Sequence, residues 1–208
     1  MTDKPSLESA YALKTPDDSR RLYADWAQSY DDDFAASMDY LLPKHVARIF
    51  LDQPSEGAVL DVGAGTGLVA DAIQTERSHV MDALDISPAM LAVAKRKGRY
   101  RACIEADLTR DLPLADASYG AVVSSGTFTH GHVGPEALDE LLRVAQRGAL
   151  FVLSVNAEHF ESRGFAAKFD ALARCIEAFR LITVAIYGPA SSQGLRQDQG
   201  HLAVFRKR

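Results

Sequence analysis

The spacing of hydrophobic positions changes near residue 58. Before it, Leu22, Tyr23, Trp26, Ala27 and Tyr30 recur every three or four residues, the one-face spacing of an amphipathic helix. Ser19 stands where a cap would open that helix. After the acidic run Asp31-Asp32-Asp33, a second helix is predicted over 36–51, interrupted by Pro43. The first 18 residues are polar and show no periodicity, which predicts a loose arm over 1–18. A helical lid over 19–52 and a core over 58–208 follow, together one domain over 19–208.

From Ala58 onward, short apolar runs alternate with helical stretches. Strands are predicted over 58–62, 79–84, 100–105, 119–124 and 149–155. Helices are predicted over 68–74, 89–97 and 136–146; Ser87-Pro88 opens the second of these and Gly98 closes it. Nearly continuous apolar strands separated by helices predict a parallel sheet covered on both faces. The C-terminal stretch differs. A helix carrying Phe165, Phe169, Leu172, Ile176 and Phe179 on one side is expected to lead into strands over 181–187 and 201–205. Two strands joined without a helix form a hairpin, so the sheet is expected to end antiparallel.

Composition narrows the chemistry. The chain has 208 residues, 47% of them hydrophobic, enough to build one full core without metal or disulfide. Cys103 and Cys175 form no CxxC pair, so no metal site is expected and both are read as buried small apolar side chains. A net charge of −5 offers no basic field to a nucleic-acid backbone, and Arg206, Lys207 and Arg208 are too few to change that. The polar start lacks the apolar centre of a signal peptide, and no run approaches the ~18 apolar residues of a membrane span. A cytoplasmic protein with a small-molecule partner is expected, with no nucleic acid and no membrane, as monomer or homodimer.

The residues at the ends of the predicted strands carry the chemistry. In an open α/β sheet, ligands sit beyond the carboxyl ends of the strands. The first strand runs into Asp61-Val62-Gly63-Ala64-Gly65-Thr66-Gly67-Leu68. A dinucleotide fingerprint needs its third glycine where this chain has Leu68. The acid Asp61 would repel a pyrophosphate and suits a cationic ligand, while Gly63, Gly65 and Gly67 admit a ligand close to the backbone. S-adenosylmethionine has an ammonium, a sulfonium and no phosphate, and fits this turn.

Later strand ends agree. Asp85 lies about 20 residues beyond the glycines, where an acid takes both ribose hydroxyls. Ile86 and Met90 offer an apolar wall for adenine, Asp107 a carboxylate for its amino group beside Leu108, and Ser124 and Ser125 lie toward the sulfonium end.

These motifs resemble those of the class I S-adenosylmethionine-dependent methyltransferases over roughly 23–208. LDVGAGTG is similar to that family's first motif, LDISPAML to its second acidic loop, and EADL to its adenine-contacting segment. LDELLRVAQRGALFVLSV is similar to its LxExxRVLKPGG unit, with Arg147-Gly148-Ala149 in place of PGG. The opening YADWAQSYDDDF further resembles that of the small-molecule group typified by methyltransferase-like protein 27. The resemblance implies a Rossmann-like doubly wound α/β fold, with seven strands in the order 3-2-1-4-5-7-6, strand 7 antiparallel and helices on both faces. It also implies cofactor contacts from Tyr23 and Trp26.

On the acceptor side, Tyr30 and Phe128 are substrate candidates. His130 and His132 are candidate general bases, His130 also facing substrate, for an oxygen or nitrogen acceptor. The sequence SSGTF replaces the Asp/Asn-Pro-Pro-aromatic loop of adenine-amino methyltransferases, which argues against DNA. A non-catalytic S-adenosylmethionine-binding module stays open at this point. An NAD-dependent oxidoreductase stays open too, with Leu68 against it.

Overall fold

The computed structural model describes residues 5, 6, 9, 10, 13, 15–129 and 133–208. Helix α1 (Pro16–Trp26) is opened by Thr15, not by Ser19: Thr15 Oγ1 accepts from the Asp18 amide while Asp18 accepts from the Thr15 amide. This reciprocal cap satisfies two terminal amides at once. Ser19 is buried inside the first turn. The acidic run forms no break. It lies within a π-helix (Tyr30–Ala36), and Pro43 sits in the first turn of α2 (Leu42–Leu51), where a missing amide costs nothing. The arm is engaged at two points: Ala10 is buried against the lid and Leu13 lines a cavity.

The core runs β1 (Val59–Val62), α3 (Leu68–Glu76), β2 (Met81–Asp85), α4 (Pro88–Lys97), β3 (Ala102–Glu105), β4 (Tyr119–Phe128), α5 (Ala137–Val144) and β5 (Ala145–Asn156). Two short helices, α6 (Ala157–Ser162) and α7 (Phe165–Ala171), lead to β6 (Ile176–Ala185) and β7 (Gln199–Lys207). Ser87 caps α4 and Gly98 ends it in the left-handed conformation. The seven strands stand in the order 3-2-1-4-5-7-6, with β7 antiparallel to both β5 and β6.

Alternate residues along each strand enter opposite layers, as the pleat requires. Leu60, Val62, Val122, Phe151 and Phe205 pack with α5 and α7 on one face, while Val59, Val123, Leu150, Val152 and Val204 pack with α2 and α3 on the other. A third cluster, with Trp26, Phe34 and Leu42 at its centre, seats the lid on Met90 of α4 and on Ile186-Tyr187. Burying a large apolar side chain contributes about 1.5–3 kcal/mol, against ~0–1 kcal/mol for an exposed ion pair, so this cluster holds the lid down.

The C-terminal reading changes at one place. The predicted long helix stops at Ala171, a 3-10 turn follows, and Ile176 and Phe179 belong to β6. Phe179 still meets the ring of Phe169, tilted by 35° with ring centroids 4.6 Å apart. Cys103 is half-buried and Cys175 is exposed, so the cysteines are not two buried spacers. No described helix is long and apolar enough to cross a membrane.

Candidate active site

The site forms where β1, β2 and β4 end. β1 stops at Val62, and Gly63, Gly65 and Gly67 all adopt positive φ. At Gly63 a Cβ would lie 1.9 Å from Thr127 Oγ1, so the turn can close against β4 only without a side chain. At Gly65 a Cβ would meet nothing within 4 Å, because that face of the backbone opens into a cavity. Gly67 serves as the N-cap of α3, and Leu68 behind it is half-buried and does not line the cavity.

Asp85 organises this turn. One carboxylate oxygen accepts from the Gly65 amide at 2.8 Å and the other from the Ser87 amide at 2.8 Å. The acid at the end of β2 thus fixes the glycine turn after β1 and caps the loop before α4. Burial raises the carboxyl pKa, and the amide donors of Ser87, Gly65 and Ile86 pull it back down.

Asp61 lies one strand over, fully buried in β1. Its Oδ2 accepts from the Tyr100 hydroxyl at 2.6 Å, while Oδ1 has no protein partner among the described residues. Burial pushes the Asp61 carboxyl up to about 7, against the pull of Tyr100 and with the charge of Asp85 adding to the rise. A buried oxygen without a donor is an unmet demand for a cation or a water.

The cavity beside the glycine turn encloses about 810 Å³ of space not filled by protein atoms, open solvent included. Gly63, Gly65 and Asp85 form one end. Ile86, Met90, Ala106 and Leu108 form an apolar wall, Ser125, Gly126, Thr127 and Thr129 the β4 side, and Ser19, Tyr23 and Tyr30 the lid side. Tyr23, Tyr30, Gly126 and Thr129 also border a second cavity with Trp26, Phe34 and Tyr40.

Several expected contacts stand elsewhere. Trp26 is set back from the first cavity and lines only the second. Asp107 accepts from both the amide and the hydroxyl of Thr109, closing its own turn, and does not line the cavity. Ser124 is fully buried and donates to the Val62 carbonyl at 2.7 Å. Phe128 is 1% exposed and packs on Phe165 in the core, so it is no cavity residue. His130 and His132 lie outside the described residues. Thr127 stands against Gly63, and what sequence reasoning did not single out is Asp31, whose carboxylate accepts from the Thr66 hydroxyl in the glycine turn.

A glycine turn clamped by the acid of the neighbouring strand, at the carboxyl ends of the parallel strands of a sheet that finishes with an antiparallel hairpin, is the arrangement of the Rossmann-like methyltransferase fold. The comparisons agree. The methyltransferase-domain family matches residues 60–153. Methyltransferase-like protein 27 of Homo sapiens is 31% identical over 146 residues, covering 67% of this chain and 59% of that protein. Demethylmenaquinone methyltransferase of Clavibacter sepedonicus is 39% identical over 98 residues, 46% of this chain and 39% of that protein. The chain therefore spans 39–59% of the length of these curated relatives. Among solved structures, phosphoethanolamine N-methyltransferase 2 of Haemonchus contortus, in complex with phosphomonomethylethanolamine and S-adenosylhomocysteine, superposes with a TM-score of 0.65 at 12% identity, over 92% of this chain and 58% of that chain. Residues 60–153 thus match a methyltransferase domain, and the chain is similar in sequence and fold to the class I S-adenosylmethionine-dependent methyltransferases.

Proposed function

We propose that this chain binds S-adenosylmethionine in the larger cavity and transfers its methyl group to a small molecule. The observation that carries the reading is the open face of Gly65 beside the buried Asp85 carboxylate. Together they make a cradle for a ligand that needs close backbone approach at one end and an acid for its ribose. The unpartnered Asp61 oxygen supplies negative charge behind the turn, where a methionyl ammonium would favour the ionised form. Ile86, Met90 and Leu108 would flank the adenine, and Ser125 and Thr127 would lie toward the reacting end.

The bound cofactor supplies a methyl carbon already activated by positive sulfur. The chain's task is to hold the acceptor in line with it and to exclude water. Ser19, Tyr23 and Tyr30 roof the cavity, so an acceptor must be small or carry a slender end to reach inside. Among the described residues lining this cavity, Asp85 alone has an ionisable carboxylate, and it is engaged by two amides. His130 and His132 are the proposed bases for an acceptor that needs one.

Calorimetry with S-adenosylhomocysteine and NAD, followed by an acceptor screen reading S-adenosylhomocysteine release, tests the reading. The expected result is saturable S-adenosylhomocysteine binding, no NAD binding, and turnover with at least one small acceptor. Binding of NAD alone would refute it. Cofactor binding with silence across small amines, phenols, thiols and carboxylates would point to a non-catalytic binding module.

A further inference from the structure

Tyr100 stands beneath the glycine turn and touches it at two points. It lies in the link between α4 and β3, pinned where the Arg101 amide donates to the Met81 carbonyl at 2.7 Å. Its hydroxyl donates to Asp61 Oδ2 at 2.6 Å. Its ring lies against Gly67, where an added Cβ would come within 3.0 Å of a ring carbon and 3.3 Å of the hydroxyl oxygen. The ring also packs against two apolar clusters, one of Ala64, Ala83 and Leu91 and one that includes Val69 and Ala70. A side chain held on so many sides has one place to put its hydroxyl, so packing fixes the bond to Asp61.

The two Asp61 oxygens differ as a result. Oδ2 is taken by a donor, and Oδ1 has none among the described residues. Burial, and after it the Asp61 charge, keeps the Tyr100 phenol protonated, so it donates wherever Asp61 titrates. A proton added to Asp61 therefore goes to Oδ1 and cancels the charge behind the turn. Asp85, at the end of β2, disfavours a second carboxylate beside it. Asp71 on α3 and Cys103 on β3 face Tyr100 itself, and Asp71 is paired with Lys97 and Arg99. Against burial and Asp85, the Tyr100 hydroxyl is what supports the ionised form of Asp61.

We propose that Tyr100 is a positioning residue of the cofactor site: its hydroxyl keeps the Asp61 carboxylate oriented and ionised behind the glycine turn, and so favours a ligand that carries an ammonium. The inference rests on the methyltransferase reading above. S-adenosylmethionine has its ammonium at the methionyl end, where the whole cofactor differs from its nucleoside fragment. Tyr100 does not line the cavity, so it acts on that difference through Asp61 and Gly67.

The full chain and Tyr100→Phe are titrated by calorimetry with S-adenosylhomocysteine and with 5′-methylthioadenosine, which keeps the adenine, ribose and thioether and lacks the ammonium. In the unaltered chain, S-adenosylhomocysteine affinity should rise as pH increases through about 7. In Tyr100→Phe the rise should move up by about one pH unit, the size expected for a lost hydrogen bond to a charged group. Affinity at neutral pH should then be severalfold lower. 5′-Methylthioadenosine should bind both proteins alike, with no such rise. In the Asp61→Asn background, Tyr100→Phe should leave S-adenosylhomocysteine affinity unchanged. If Tyr100→Phe does not fold, proton NMR of the Tyr100 hydroxyl in the unaltered chain answers instead: its resonance should shift as Asp61 ionises and as S-adenosylhomocysteine binds. An unmoved rise in Tyr100→Phe, a flat profile in the unaltered chain, an equal loss for both ligands, an undiminished loss in the Asp61→Asn background, or a hydroxyl resonance indifferent to pH and ligand would overturn the role of Tyr100 alone. Failure of the unaltered chain to bind either ligand would overturn the methyltransferase reading instead.

Discussion

Asp31 and Thr66 join the lid to the glycine turn: the Asp31 carboxylate accepts from the Thr66 hydroxyl and also pairs with Lys97 Nζ at 2.7 Å. Lys97 in turn reaches Asp71 at 2.9 Å, so α3, α4 and the π-helix share one polar knot. The two side chains of the Asp31–Lys97 pair are 33% and 22% exposed, so salt screens part of the attraction. Asp31→Ala should weaken S-adenosylhomocysteine binding several-fold and lower stability by about 1 kcal/mol. The loss should shrink at high salt, since the unaltered chain loses part of the same attraction there. Calorimetry at low and high ionic strength checks this, and an unchanged affinity would separate lid from turn.

Gly65→Val and Gly63→Ala should fail for different reasons. A side chain at Gly65 enters the cavity, so cofactor binding should disappear while the fold survives with a loss of roughly 1 kcal/mol from the left-handed backbone. At Gly63 the added carbon collides with Thr127, so stability itself should fall. Thermal unfolding set beside binding calorimetry tells the two apart.

Asp85→Ala removes the acceptor for two amides and the expected partner of the ribose. A hydrogen bond to a charged group contributes about 1.5–3 kcal/mol, so S-adenosylhomocysteine affinity should drop roughly ten- to hundredfold. Asp85→Asn keeps an acceptor for only one of those amides and should lie between the two. Isothermal titration of the three proteins orders them.

Asp61 makes a prediction about pH. Its folded pKa, about 7, stands above the ordinary aspartate value, so the folded chain holds a proton that the unfolded chain has released. Its favourable contribution is therefore complete at low pH and is lost as pH rises from about 4 through about 7. Asp61→Asn keeps an acceptor for the Tyr100 hydroxyl and should flatten that part of the profile. Binding should show the opposite trend. If the ligand ammonium favours ionised Asp61, affinity rises with pH through 7 in the unaltered chain and stays level in Asp61→Asn. Denaturant melts and calorimetry between pH 5 and 8 check both halves.

The strand-end chemistry was legible in the sequence because it is local. LDVGAGTG is one turn, and Asp85 ends a strand whose apolar run is plain. The antiparallel finish was legible as two strands joined without a helix, whereas the strand order came from the family resemblance. What the sequence hides is where side chains turn once neighbours compete for them. Asp107 looks like a ligand-facing acid until Thr109 takes its oxygen. Phe128 follows the strand-four loop in sequence, yet β4 runs on to residue 128 and carries its ring into the core. The Thr15–Asp18 cap was missed because Ser19 stood nearer the apolar stripe. The π-helix was missed because three consecutive acids read as a break, while Tyr30 and Phe34 on either side of them were already anchoring it. Phe179 shows the limit of periodicity: a ring at helical spacing served equally well on a strand packed against the same layer.

The pairing of β4 with β5 slips between Ser124, opposite Leu153, and Phe128, opposite Val155. The surplus residues bow outward, and Ser125, Gly126 and Thr127 from that bow become the cavity wall. Gly126 is tied back by Ser154 and touches Tyr40, so the bow meets both the sheet and the lid. The glycine turn follows β1 and Asp85 ends β2, and Thr127 of the bow stands against Gly63 and donates to the Val62 carbonyl. Lengthening or shortening the bow would therefore reshape the cavity wall and the glycine turn together, so the two can change only in step.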